Sequence, residues 1–272
     1  MKKLNVVVTN DDGIDSPGLH TLAAAVSAAG HTVRVIAPTV QASGAGAGIA
    51  ALTVSVHEMV ERRDLGLGTD DLAVAAEPAM IVLWSVLGCF GPPPDLVMSG
   101  INLGSNFGTA VVHSGTFGAA LTAVMHAIPA IAVSLCLEDE DNGNVDDILH
   151  WDSAAKSAVG MIDHAGDALK SGFAINLNVP NAPIDRLLSP ALSSGTSTGL
   201  VPSIVPFVHR LKVAESGLVA STSEIRAKQP LQGSDRDIVS SGRPSVSLIG
   251  LTYGDTDSLL GIAQSDFRED LK

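Results

Sequence analysis

The fold class follows from residues 4–38, which have the sequence LNVVVTNDDGIDSPGLHTLAAAVSAAGHTVRVIAP. Leu4–Val8 is a short β-rich run that ends at a polar, glycine-containing turn. Ser16 and Pro17 then provide a helix N-cap and a first helical residue, and the apolar residues that follow recur at helical spacing. Thr32–Ala37 is a second apolar run of strand type. This β-α-β order indicates an α/β protein with a Rossmann-like, doubly wound and mainly parallel sheet.

The same alternation of helix and strand patterns continues beyond the first unit. We predict three further helices, over Pro78–Leu87, Gly115–Ala127 and Trp151–Leu169. Each is followed by a predicted strand, and these strands are Asp95–Met98, Ile131–Leu135 and Phe173–Asn178. Open parallel sheets bind ligands outside the carboxyl ends of their strands. The polar loops expected at that edge are Thr9–Gly13, Pro38–Gly48 and Ser99–Ser114.

The character of the chain changes after Pro180, where Ser, Gly and Pro become frequent and the alternation stops. We therefore predict a Rossmann-like core at residues 1–180 and a C-terminal β-rich arm, an oligomerisation subdomain, at residues 181–272. Glu138–Asp147, with six acidic residues in ten, is expected to be a solvated loop.

The charge of the chain excludes one class of partner. Sixteen Lys and Arg residues stand against 29 Asp and Glu residues, for a formal net charge of −13. Residues 1–150 hold five basic and sixteen acidic residues, a difference of −11. A duplex-binding surface needs the opposite sign, so polymeric nucleic acid is not an expected partner.

Apolar runs and cysteines bear on the expected location. The apolar stretch after Lys3 is about six residues long, whereas a secretory signal needs roughly 7–15. No uninterrupted apolar run reaches the roughly 18–20 residues of a membrane span. Cys89 and Cys136 lie in apolar runs and are expected to be small buried residues rather than disulfide partners. We expect a cytoplasmic protein without membrane partners.

The turn after the first strand, Asn10-Asp11-Asp12-Gly13, has two interpretations. Two neighbouring carboxylates without a nearby Lys or Arg in sequence repel each other unless a cation lies between them, and oxygen ligands suit Mg²⁺, Mn²⁺ or Ca²⁺. The same four residues are also ordinary Asx-turn chemistry.

Three later segments add polar groups at the same edge of the sheet. The loop that contains Ser43 and Gly44 is rich in Gly and Ala, so its backbone amides are able to approach an anion. Its glycines match a dinucleotide fingerprint poorly, which disfavours an NAD- or flavin-dependent oxidoreductase. Asn102 offers a neutral oxygen ligand. Ser114 is either a plain helix N-cap or part of a helix terminus that holds phosphate.

The order and spacing of four blocks resemble those of the SurE family, the survival-protein-E-type 5'/3'-nucleotidases and acid phosphatases. The blocks are Thr9–Leu19, Ala37–Gly44, Ser99–Gly108 and Ser114–Thr116. Two later stretches, Ile175–Pro180 and Ser234–Ser247, are similar to further family blocks. The resemblance covers about residues 4–250.

The resemblance implies a metal-dependent phosphomonoesterase acting on nucleoside 5'- or 3'-monophosphates or a related small phosphate ester. It implies one divalent cation per subunit, Mg²⁺ or Mn²⁺, on Asp11, Asp12, Ser43 and Asn102. The catalytic set expected from it is Asp11, Asp12, Asn102 and Ser114. The phosphate pocket expected from the loops and the family pattern consists of Asn10, Gly44, Asn106, Ser114, Gly115 and Thr116. The resemblance also implies a homodimer or homotetramer in which the C-terminal segment is exchanged.

Two stretches depart from the family pattern. Gly46–Ala50 lacks the polar side chains that usually follow Ser43-Gly44, and Glu77–Met80 lacks a Thr and an Asp. Each lost donor removes about 1 kcal/mol or more of phosphate binding. The alternative function is therefore a divergent protein that binds a metal and a phosphorylated ligand but hydrolyses it poorly.

Overall fold

The structure is a computed structural model that describes residues 2–50, 59–67, 69–137, 148–193, 209–214, 217–222 and 230–251. Its strands are β1 (Asn5–Thr9), β2 (Thr32–Pro38), β3 (Val60–Arg63), β4 (Asp71–Val74), β5 (Leu96–Leu103), β6 (Ala130–Cys136), β7 (Ala174–Pro180), β8 (Ala191–Leu192), β9 (His209–Ala214), β10 (Gly217–Thr222) and β11 (Ser245–Ile249). Its helices are α1 (Pro17–Ala28), α2 (Pro78–Val86), α3 (Gly115–Met125), α4 (Trp151–Val159), α5 (Ile162–Lys170) and α6 (Asp235–Ser240), and a 3₁₀ segment spans Gly108–His113.

Nine strands form one sheet in the order β3-β4-β2-β1-β5-β6-β7-β11-β8. The pairs from β4 through β2, β1, β5 and β6 to β7 are all parallel. Strand β3 pairs antiparallel with β4, and β11 pairs antiparallel with β7. The predicted α/β class with a mainly parallel, Rossmann-like sheet is confirmed.

Helices cover both faces of this sheet because its strands are apolar on both sides. Val6 and Val8 of β1 lie in one buried cluster with residues of α1, α4 and α5. Val7 of the same strand lies in a second cluster with residues of α2 and α3. Successive residues of a strand point to opposite faces, so β1 is buried between the two helix layers. Its carboxyl end is thereby fixed from both sides.

The structure corrects three details of the sequence interpretation. The helix predicted over Trp151–Leu169 is two helices, α4 and α5, because the chain turns at Gly160-Met161. Strand β5 extends to Leu103, beyond the predicted end at Met98, with an irregularity between Ser99 and Asn102. Cys89 is exposed rather than buried, since it follows the end of α2, whereas Cys136 is buried.

The C-terminal part of the chain contributes to the main sheet as well as to a separate hairpin. Strands β8 and β11, from beyond the boundary predicted at residue 180, complete one edge of the nine-stranded sheet. Strands β9 and β10 pair antiparallel with each other in a two-stranded sheet. The acidic segment Glu138–Asp147, predicted to be a solvated loop, lies outside the described residues. Within the described ranges, no helix is long and apolar enough to cross a membrane.

Candidate active site

The carboxylate of Asp11 is held against the N-terminus of α3. The residue directly follows β1 and is only 3% exposed. The side-chain hydroxyl of Thr116 donates to Asp11 Oδ1, and the backbone amides of Thr116 and Gly115 also hydrogen-bond to this carboxyl group. Burial raises the pKa of Asp11, and these hydrogen bonds oppose the rise. The helix terminus, where the dipole is positive, therefore stabilises a carboxylate that burial alone would disfavour.

Asp12 stands beside it in a half-buried position. Burial, followed by the charge of Asp11, raises the pKa of Asp12 to about 6, and the amide of Leu103 on β5 opposes this rise. In the described part of the chain, the ion pairs are Arg62–Asp70, Arg63–Glu61 and Lys170–Asp167, and none of them reaches this site. Two adjacent carboxylates with no basic partner are a donor set that suits a hard divalent cation.

The loop between Pro38 and Gly48 is fixed against Asp11 and α3. The amide of Ala42 donates to the backbone oxygen of Asp11 at 2.7 Å, and the amide of Gly46 donates to the backbone oxygen of His113 at 3.1 Å. A Cβ atom on Gly118 of α3 would lie 2.0 Å from the carbonyl oxygen of Gly46, so the loop and the helix are in direct backbone contact. These contacts place Ser43, which follows Ala42, at the same edge of the sheet as Asp11.

Asn102 reaches this edge from β5. Its Nδ2 atom donates to the carbonyl oxygen of Gly104 at 2.8 Å, an arrangement that uses the amide donor and keeps Oδ1 as the group that suits a cation. The next residue, Leu103, is the one whose amide hydrogen-bonds to Asp12. The structure therefore brings β1, β5 and the loop that contains Ser43 to one edge of the sheet.

Several residues expected in the phosphate pocket make local structural contacts. Asn10 is fully buried, and its amide group both donates to and accepts from the backbone of Gly13, at 3.0 and 3.2 Å. The hydroxyl of Ser114 accepts from the amide of Phe117 as the N-cap of α3. Gly115 has no room for a side chain, because a Cβ atom there would lie 2.8 Å from Asp11 Cβ. Asx-turn and N-cap chemistry are therefore both present around the carboxylates.

Asn106 is anchored by polar residues of β6 and β7 that the sequence interpretation gave no role. Its Nδ2 donates to Ser134 Oγ at 2.9 Å, and its backbone amide donates to Asn178 Oδ1 at 2.9 Å. The Nδ2 atoms of Asn176 and Asn178 both donate to the backbone oxygen of Asn106 at 3.0 Å. The alternation of the two asparagines along β7 is the sequence signal for these contacts, because it places both side chains on one face.

The two stretches that depart from the family pattern meet in space. The amide of Glu77, at the start of α2, donates to the backbone oxygen of Ala50 at 3.2 Å. The two stretches that lack polar side chains, Gly46–Ala50 and Glu77–Met80, are therefore in contact, and the first of them begins within the loop that contains Ser43.

Comparison with known proteins gives one consistent result. The family model described as Survival protein SurE matches residues 6–196. Two proteins named 5'-nucleotidase SurE, from Xanthomonas campestris pv. campestris strain B100 and Xanthomonas euvesicatoria pv. vesicatoria strain 85-10, are 36% and 37% identical over 179 residues. Each alignment covers 65% of this chain, which spans 64% of the length of those relatives. The crystal structure of a SurE protein from Aquifex aeolicus shares the fold, with a TM-score of 0.69, 22% identity, and coverage of 96% of this chain and 99% of that one.

Proposed function

This chain belongs to the SurE family, and from that premise we propose that it is a metal-dependent phosphomonoesterase that hydrolyses nucleoside monophosphates or a related small phosphate ester. The observation that carries the proposal is the pair Asp11 and Asp12, two adjacent carboxylates at the carboxyl end of β1 that form no ion pair with a basic residue in the described part of the chain. The relatives named 5'-nucleotidase SurE support the same activity.

The residues present fit one divalent cation. Asp11, Asp12, Ser43 and Asn102 offer carboxylate, hydroxyl and amide oxygens, the ligand types that Mg²⁺ and Mn²⁺ prefer. When bound there, such a cation supplies charge neutralisation and polarisation of the phosphoryl group.

The protein's own groups divide the remaining work. We assign Thr116 and Gly115 to the positioning of Asp11, since their donors are already directed at its carboxylate. Asn106, Ser114 and the amides of the loop around Gly44 are the groups that we assign to the phosphate oxygens. Asn10 supports the site by fixing the turn that carries both aspartates.

The proposed reaction converts a phosphate monoester and water into an alcohol and inorganic phosphate. The oxygen of water bonds to phosphorus as the ester P–O bond breaks, and a proton of the water ends on the leaving alcohol oxygen. Asp12, which is less buried than Asp11, is the carboxylate that we assign to orienting the attacking water.

The experiment that tests this function is phosphate release from a panel of nucleoside monophosphates and sugar phosphates. The panel is run with Mg²⁺, with Mn²⁺ and with EDTA. We expect release that depends on the added cation and falls at least about a hundredfold in EDTA, because none of the described ion pairs brings a Lys or Arg to the site that would replace the metal. A folded protein that binds the cation and releases no phosphate under any condition would contradict the proposal. That result would favour the alternative function, a divergent protein that binds a metal and a phosphorylated ligand but hydrolyses it poorly.

Thr116 offers a graded test of the same assignment. In Thr116→Val the side chain keeps its shape but loses the hydroxyl that donates to Asp11. We expect phosphate release to fall about tenfold, the value of one hydrogen bond to a charged group. Thr122→Val is the matched control, because its hydroxyl is also buried on α3 but donates to the backbone oxygen of Gly118. Equal effects of the two variants on release would count against the role given to Thr116.

The subunit number and the cellular location of the protein are also part of the proposal. We propose a homodimer or homotetramer, with the C-terminal part of the chain in the contact, and a cytoplasmic location. The support for the assembly is the β9–β10 hairpin, which forms a two-stranded sheet of its own. Sedimentation of the full chain, at several concentrations, measures the subunit number directly.

A further inference from the structure

Asp235 is a buried carboxylate whose partners lie on two different parts of the chain, β11 and the segment that follows β5. It is the first residue of α6 and is 6% exposed. Its Oδ1 atom accepts from the hydroxyls of Ser245 and Ser247 on β11, the first at 2.7 Å. Its Oδ2 atom accepts from the backbone amide of Gly108 at 3.2 Å. The last contact crosses 127 residues and ends in the segment that follows β5.

That segment is held at its other end by the sheet. Asn106 is bonded to Ser134, Asn176 and Asn178, two residues before Gly108. In the strand register, Asn176 is opposite Ser247. Asn178 is opposite both Ser134 and Ser245. Residues in register share a face of the sheet, so the partners of Asn106 and the partners of Asp235 form adjacent polar rows.

We infer that Asp235 is a positioning residue, which fixes the Asn106–Gly108 segment at the phosphate pocket. The inference rests on the proposed function, in which Asn106 faces the phosphate. Three donors converge on one buried carboxylate. Removal of the carboxylate leaves the backbone amide of Gly108 without its hydrogen-bond acceptor. An unpaired amide costs free energy, so the Asn106–Gly108 segment is expected to shift to a position where the amide is satisfied.

The inference gives the C-terminal part of the chain a direct part in the site. The family model matches residues 6–196, so α6 and β11 lie beyond the matched range. Strand β11 is nevertheless paired with β7 along five residues, which fixes α6 relative to the sheet. The same strand pairing thus fixes both the two serines and the asparagines opposite them.

The test compares Asp235→Ala with Asp237→Ala. Asp237 lies in the same first turn of α6 and accepts from the amide of Gly233, but it makes no contact with the Asn106–Gly108 segment in the described structure. We expect Asp235→Ala to raise KM for the best nucleoside monophosphate about tenfold and to change kcat less than about threefold. Asp237→Ala is expected to stay within about twofold of the wild type in both constants.

A second measurement does not depend on catalysis. Amide hydrogen exchange of a peptide spanning residues 104–113 is expected to be faster in Asp235→Ala than in the wild type and unchanged in Asp237→Ala. If the wild-type chain releases no phosphate, the proposed function fails, and this exchange difference still decides whether Asp235 positions the segment.

Two further variants separate positioning from loss of folding. In Asp235→Asn the amide oxygen accepts from Gly108, and the NH₂ group donates to hydroxyls that also act as acceptors, so we expect KM within about twofold of the wild type. If Asp235→Ala does not fold, Ser245→Ala/Ser247→Ala retains the carboxylate and removes the two hydroxyls that orient it. We expect that double variant to raise KM and the exchange rate in the same direction. Wild-type KM and wild-type exchange in Asp235→Ala, or in Ser245→Ala/Ser247→Ala where Asp235→Ala does not fold, would overturn the inference.

Discussion

Asp11→Asn is expected to lower metal-dependent phosphate release by about a thousandfold or more. The substitution keeps the size of the side chain and part of its acceptor capacity toward the N-terminus of α3, but it removes the charge that would hold the cation. Since the described ion pairs place no Lys or Arg at Asp11 or Asp12, nothing in these residues compensates for a weakened metal site. The measurement is phosphate release from nucleoside monophosphates with saturating Mg²⁺ and with saturating Mn²⁺.

The same variant tests the metal site without any turnover. A cation that binds the folded chain stabilises it by mass action, so Mg²⁺ or Mn²⁺ should raise the unfolding temperature of the wild type and should not raise that of Asp11→Asn. Asp15→Asn is the matched control, because Asp15 is an exposed carboxylate four positions further along the chain. An Asp11→Asn protein that keeps a tenth of the activity, or the full cation-dependent shift, would contradict the assignment of Asp11.

The sequence was sufficient for the fold class because the alternation of strand and helix patterns is local information. Apolar strands of five to eight residues, separated by helices with a buried face, leave few arrangements other than a doubly wound sheet. The turn between α4 and α5 was missed because the apolar spacing continues across Gly160-Met161. The end of β5 was missed because Gly100 signals a loop in a sequence, whereas here it allows the chain to approach the carbonyl oxygen of Val133.

One part of the candidate site also follows from local sequence, whereas another part depends on contacts between distant residues. The grouping of Asp11, Asp12 and Asn102 follows from one rule, that polar residues after parallel strands meet at one edge of the sheet. The anchoring of the segment after β5 depends on contacts between residues 28 to 127 positions apart, among them Ser134, Asn178 and Asp235. The alternation of asparagines along β7 indicates a polar face, but it does not identify the residues that this face contacts, so the contacts required the structure.

The structure also changes how the N-terminus of α3 is understood. A Ser-Gly-Thr sequence at a helix start is compatible with direct phosphate binding, and the observed hydrogen bonds direct Gly115 and Thr116 toward Asp11 instead. A carboxylate that satisfies these donors is itself held in one orientation. The helix terminus therefore fixes the orientation of Asp11, the carboxylate that we propose as a metal ligand, and Gly115 packs against Asp11 with no room for a side chain.

Gly115→Ala is expected to lower phosphate release about a hundredfold, as expected for a displacement of about 1 Å in a catalytic group. A Cβ atom at residue 115 would lie 2.8 Å from Asp11 Cβ and 2.9 Å from Asp11 Oδ2, so the aspartate has to move. Cation affinity, measured by titration calorimetry, is expected to fall with the activity. The fold should persist, because Ala is a better helix former than Gly by about 1 kcal/mol within a helix.

Gly166→Ala provides the control that separates the two effects of the same chemical change. Gly166 lies within α5, and a Cβ atom there would meet no other atom within 4 Å. We expect this variant to keep wild-type phosphate release and cation affinity, and to gain up to about 1 kcal/mol in the free energy of unfolding. Equal activity of the two alanine variants would show that the space between Gly115 and Asp11 is not needed for the site. A selective loss in Gly115→Ala, with far-ultraviolet circular dichroism like that of the wild type, would tie the activity to the orientation of Asp11.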